Sequence, residues 1–84
     1  MDVRVYITPK KGILDPQGVA IERSLPALGF EGVTDVRVGK FIELQLSIAN
    51  GTPPDRARAE VDEMCRKLLA NPIIEDFTFS IDDR

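Results

Sequence analysis

The 84-residue sequence predicts an α+β fold of four strands and two helices. Two kinds of pattern carry that expectation: four stretches in which apolar and polar residues alternate, and two in which apolar residues recur every three or four positions. Their order along the chain reads strand, helix, strand, strand, helix, strand.

In the opening MDVRVYIT, Val3, Val5 and Ile7 alternate with Arg4, Tyr6 and Thr8, the period of a strand with one buried face. Asp15-Pro16 then opens a helix, because a carboxylate at the N-cap accepts unpaired backbone N–H groups and a proline at the first helical position has none to lose. Ile21, Leu25 and Leu28 give that helix an apolar stripe, and Gly29 follows as a residue able to take the left-handed conformation. Pro26 cannot donate to the carbonyl of Glu22, which predicts a kink or a loosened last turn.

Val36 and Val38 alternate with Asp35 and Arg37, and after Gly39-Lys40 the residues Ile42, Leu44, Leu46 and Ile48 alternate with Glu43, Gln45 and Ser47. This predicts a hairpin with a tight Gly-Lys connection. ANGTPPD reads as a loop that delivers Thr52 as an N-cap with prolines at the first helical positions. In the second helix Ala57, Val61, Met64, Cys65, Leu68 and Leu69 form a broad apolar stripe that Asn71-Pro72 ends. Phe77, Phe79 and Ile81 alternate with Asp76, Thr78 and Ser80 in a fourth strand, and the acidic ending DDR is expected to fray.

Right-handed crossovers turn this order into a ferredoxin-like βαββαβ sandwich, a four-stranded antiparallel sheet with two helices on one face, in a single domain over residues 1–84. The other face carries Tyr6, Arg37 and Phe41 among polar neighbours and is expected to pair with a second copy. A domain of this size buries only about 60 to 65% of its unfolded surface, so self-association is a natural source of stability.

The net charge is −3 with a pI near 4.8, and no cluster of basic residues offers the field that nucleic acid needs. The alternating N-terminus contains neither a signal peptide nor a membrane span, so a cytoplasmic location is expected. One cysteine and no histidine exclude an internal disulfide, the usual zinc sites and a catalytic histidine. Cys65, on the buried stripe with no histidine to activate it, reads as a core thiol. Asp62 and Glu63 point in different directions and, with Asp55, Arg58 and Arg66, read as a solvated helix face laced with charge pairs. No catalytic, cofactor-binding or metal-binding residue is therefore expected.

Lys10, Lys11 and Gly12 precede a helix N-terminus, which is where an anion could bind, but the glycine spacing of a phosphate-binding loop is missing and Asp15 already brings negative charge there. An RNA-recognition domain of this topology needs exposed aromatics in a basic surround, and only Tyr6 and Phe41 qualify. An acylphosphatase-like anion cradle is matched poorly. A homo-oligomeric amino-acid-binding regulatory domain, ACT-like, with sites built from backbone groups between paired copies, stays open as an alternative.

Three stretches read together, GILDPQG at 12–18, VRVGKFIELQL at 36–46 and MCRKLLANPIIEDF at 64–77, resemble the PurS family, the small subunit of phosphoribosylformylglycinamidine synthase in bacteria and archaea. The resemblance covers nearly the whole chain. It implies a non-catalytic subunit of a purine-biosynthetic ligase that uses glutamine and ATP to convert formylglycinamide ribonucleotide into formylglycinamidine ribonucleotide. A glutaminase subunit would hold the nucleophilic cysteine, and a large synthetase subunit would bind ATP, magnesium and the nucleotide. The small subunit would pair with itself, as a dimer or dimer of dimers, and bridge the other two. On that reading the Pro-capped helix opening, with Lys10, Lys11, Asp15 and Gln17, is expected to dock a larger subunit.

Overall fold

The computed structural model describes residues 1–82, so the end of the acidic DDR segment lies outside the described residues. Three strands, β1 (Asp2–Pro9), β2 (Lys40–Gln45) and β3 (Glu75–Asp82), form one antiparallel sheet in the order β2-β1-β3. Val3 pairs with Leu44 and Ile81, Val5 with Ile42 and Phe79, and Ile7 with Phe77. Because side chains alternate across a strand, this register gathers the apolar residues on a single face.

Helix α2 (Pro54–Met64) covers that face. Val3, Val5 and Ile7 meet Val61, Cys65 and Ala70 in one cluster, with Ile42, Leu44, Phe77, Phe79 and Ile81 packed around it. Helix α1 (Pro16–Ser24) begins as the sequence predicts: Pro16 is its first residue and the Gly18 N–H donates to Oδ1 of Asp15 at 3.1 Å. It ends before Pro26, where a 3-10 turn, Pro26–Leu28, takes over and Gly29 closes it at φ 94°. The loosened last turn follows from the missing proline N–H.

Four expectations are corrected. The first is the strand count: among the described residues the sheet has three strands, and residues 35–38 form none. The Val38 N–H donates to Oδ2 of Asp15 at 2.7 Å and the Val36 N–H to Oε1 of Glu22 at 3.1 Å. Backbone donors held by carboxylates are not free to build a ladder. The predicted Gly39-Lys40 hairpin is therefore absent; Lys40 starts β2, which pairs with β1, and Gly39 lies so close to the Ile7 carbonyl that a Cβ there would collide with it.

The second is the position of α1, which does not lie beside α2 on the sheet. It packs against its own 3-10 turn, leaving Ile21 45% and Leu28 70% exposed. The chain consequently extends 55 × 27 × 15 Å with a radius of gyration of 16.7 Å, where a compact chain of this length has about 12 Å.

The third and fourth concern α2. Thr52 does not cap it: Pro53 holds the N-cap position without a side-chain hydrogen bond. At the other end the helix widens into a π turn, Cys65–Leu69, in which the Ala70 N–H donates to the carbonyl of Cys65 at 2.9 Å, five residues back. The wider turn shifts the buried stripe by part of a turn, so Leu68 stands 83% exposed and Ala70 is buried instead. Asn71 then redirects the chain into β3: its side chain accepts the Ile73 N–H at 3.1 Å and its carbonyl the Glu75 N–H at 2.7 Å.

Candidate functional site

The opening of α1 is the most organised polar surface of the molecule. Lys10 is fixed twice, by its backbone N–H on the Ile74 carbonyl at 2.8 Å and by its ammonium on Oδ1 of Asp76 at 2.7 Å. Arg37 donates to the Pro9 carbonyl at 3.2 Å. These bonds pin the start and the end of the segment 10–39 to the edge of the sheet from which it leaves.

Asp15 lies at the centre of this surface. The N–H of Val38 first, then those of Gly18 and Gln17, hold its carboxyl below the usual carboxylate range. A carboxylate already satisfied by backbone donors at the helix N-terminus repels a further anion, so the Lys10-Lys11-Gly12 turn makes no phosphate cradle. Lys11 and Gln17 are exposed, whereas Lys10 and Asp15 are engaged within the chain. Of the four residues expected to dock a larger subunit, two thus present free side chains and two set the shape of the loop that carries them.

Gly18 and Glu22 belong to the same arrangement and sequence reasoning missed both. A Cβ on Gly18 would run into the Val36 carbonyl, so only glycine lets residues 36–38 lie this close to the helix. The available signal was the spacing of Asp15 and Glu22, seven residues apart and hence on the same side of a helix.

On the sheet face away from α2, Tyr6 and Phe41 stack with ring centroids 5.2 Å apart and planes inclined at 25°. They occupy paired positions of β1 and β2. Arg37, expected beside them, lies off the sheet because its segment forms no strand. Next to the rings Arg4 reaches Asp82 at 3.0 Å and Glu43 at 4.0 Å, tying all three strands together.

Cys65 is fully buried in the core, and burial pushes its thiol above the ordinary range, with Asp62 adding to the rise and Arg66 opposing it. Such a thiol is a poor nucleophile. Asp62 is paired with Arg66 at 2.8 Å and Glu63 with Lys67 at 2.7 Å, the i,i+4 charge pattern of a solvated face. The Arg66 guanidinium also sits 5.4 Å from the centre of the Phe77 ring. Among the described residues, no group of three or more His, Cys, Asp or Glu could hold a metal ion, and no helix is long and apolar enough to cross a membrane.

What remains are surfaces suited to protein contacts: a braced loop at the opening of α1, an aromatic pair on an open sheet face, and an exposed apolar helix. Each is a surface of the kind that takes part in contacts between proteins. The family model of PurS, phosphoribosylformylglycinamidine (FGAM) synthase, matches residues 2–83. The chain is 45% identical over 80 residues to the PurS subunit of FGAM synthase from Synechocystis, covering 93% of this chain and 75% of that one. Its structure is similar to B. subtilis PurS in the C2 crystal form, with a TM-score of 0.78 and 39% identity over 98% of both chains. A chain of PurLQS from Thermotoga maritima matches with a TM-score of 0.77 and 28% identity over 94% of this chain and 93% of that one. The chain belongs to the PurS family and is a subunit of phosphoribosylformylglycinamidine synthase, which sets aside the regulatory-domain alternative.

Proposed function

We propose that the chain is the non-catalytic bridging subunit of its enzyme. It pairs with itself and joins a glutaminase subunit to a large synthetase subunit, so that ammonia released from glutamine by one reaches the other during conversion of formylglycinamide ribonucleotide into formylglycinamidine ribonucleotide. ATP and magnesium belong to the large subunit, and the complex works in the cytoplasm. The observation that carries this reading is a family match along almost the whole chain on a molecule whose single thiol is buried and unactivated. The PurLQS relative supports the partnership. Lys11 and Gln17, held out by the braced loop around Lys10 and Asp15, supply the docking surface, and Tyr6 and Phe41 are available on the sheet face.

The four-stranded ferredoxin-like sandwich belongs to the same proposal. The three strands take the order of that fold with one edge position vacant and one of its two helices displaced, so the sandwich is completed only in the assembled protein. Sedimentation of this chain with the large and glutaminase subunits of the same genome tests the reading. A single complex containing all three is expected; three independently sedimenting species would refute it.

A further inference from the structure

We infer that the groove between the free edge of β3 and helix α2 takes an extended segment of a partner subunit, which adds to the sheet as a strand beside β3. This deepens, and rests on, the bridging role proposed above.

β3 is the outermost strand on its side of the sheet. It pairs with β1 in an unbroken run from Asp2↔Asp82 to Pro9↔Glu75, and among the described residues nothing pairs with its other side. Alternate N–H and C=O groups of an edge strand point outward, and another extended chain is what satisfies such a row at its own spacing. Folded proteins commonly blunt an edge with a proline, a lysine or a bulge. Glu75–Asp82 contains neither proline nor lysine, and its register with β1 is free of bulges. Its acidic residues, Glu75, Asp76 and Asp82, stand at the two ends and leave the middle of the strand uncharged.

A groove of about 460 Å³ runs beside this edge, with Phe77 and Phe79 of β3 on one wall and Arg58, Asp62 and Arg66 on the other. Two periods produce it: residues two apart share a face of a strand, and residues four apart share a side of a helix. Both phenylalanines are only half-buried, so apolar ring surface remains open there.

The charges of the groove define what fits it. Asp62 is paired with Arg66 at 2.8 Å, Asp76 with Lys10 at 2.7 Å and Glu75 with Lys40 at 3.6 Å. Arg58 is exposed and has no ion pair among the described residues. The uncompensated charge of the groove is therefore positive. An added strand turns every second side chain toward the groove. The fitting segment thus carries apolar residues at alternate positions, against Phe77 and Phe79, and a carboxylate within reach of Arg58.

The test compares amide hydrogen exchange in the isotope-labelled chain alone and in complex with the large and glutaminase subunits. In the chain alone, β3 amides should alternate between slow exchange, where they face β1, and fast exchange, where they face outward. In the complex the outward set is expected to become slow as well. Arg58→Glu is expected to weaken binding of the subunits about tenfold, with the alternation in the free chain unchanged. A complex in which the outward amides stay fast overturns the added strand and leaves the bridging role standing. Outward amides already slow in the chain alone mean that a second copy holds the edge, which also overturns it. Binding undiminished by Arg58→Glu overturns the acidic segment. The absence of any complex overturns the bridging reading and the groove with it.

Discussion

The carboxylate of Asp15 accepts the backbone N–H of Val38 through Oδ2 at 2.7 Å and that of Gly18 through Oδ1 at 3.1 Å, so one side chain caps α1 and holds the returning segment against it. Asp15→Ala removes both bonds. Amide exchange at Val38 is expected to lose its protection while the amides of β1 and β3 keep theirs; unchanged protection at Val38 would show that the brace is not carried by this residue.

The same carboxylate predicts a pH dependence. Its pKa is lowered in the folded chain, from an ordinary value of about 3.9. Its contribution to stability is therefore complete above that value and is lost as the pH falls through the lower folded pKa. Urea midpoints measured from pH 5 downward should fall more steeply for the native chain than for Asp15→Asn. Parallel curves would contradict the assignment.

Gly18→Ala exchanges a poor helix former for the best, worth about 1 kcal/mol in an open helix. Here the added methyl meets the Val36 carbonyl and the Asp15 carboxylate, and overpacking of this kind costs about 1 to 3 kcal/mol. The variant should melt below the native chain, with new proteolytic cleavage in residues 31–38. A higher melting temperature would mean that residues 36–38 do not lie against the helix.

In the core, Val61 is fully buried against β1. Val61→Ala should lower stability by roughly 2 to 3 kcal/mol through lost burial and the cavity left behind, read from the denaturant midpoint. The buried Cys65 should resist a thiol reagent at pH 8 in the folded chain and react once the chain is unfolded. Fast labelling of the native protein would require the π turn to be open.

How far the sequence reaches is clearest where two similar patterns behave differently. Val3, Val5 and Ile7 alternate and form a strand; Val36 and Val38 alternate and do not. The pattern is the same, but the Val36 and Val38 amides are bound by Glu22 and Asp15, whose carboxylates lie 14 and 23 residues away, a distance over which local periodicity carries no information. The stripe of α2 was legible as far as Cys65 and failed at Leu68, because a π turn changes the period without a marker residue. The stripe read for α1 runs past the helix, which ends at Ser24, and Ile21 and Leu28 stay exposed. Periodicity says which side of a helix could be buried; it does not say what, if anything, covers it. The candidate site followed the same division: the lysines, Asp15 and the aromatic pair could be named from sequence, whereas Gly18 and Glu22 acquire their roles only from the segment folded against them.

The central claim, that this chain assembles an enzyme without performing its chemistry, is tested most directly by amidination assays on the large and glutaminase subunits with and without it. Glutamine-dependent turnover is predicted to require the chain, while turnover driven by added ammonia proceeds in its absence. Equal glutamine-dependent rates with and without the chain would contradict the bridging role.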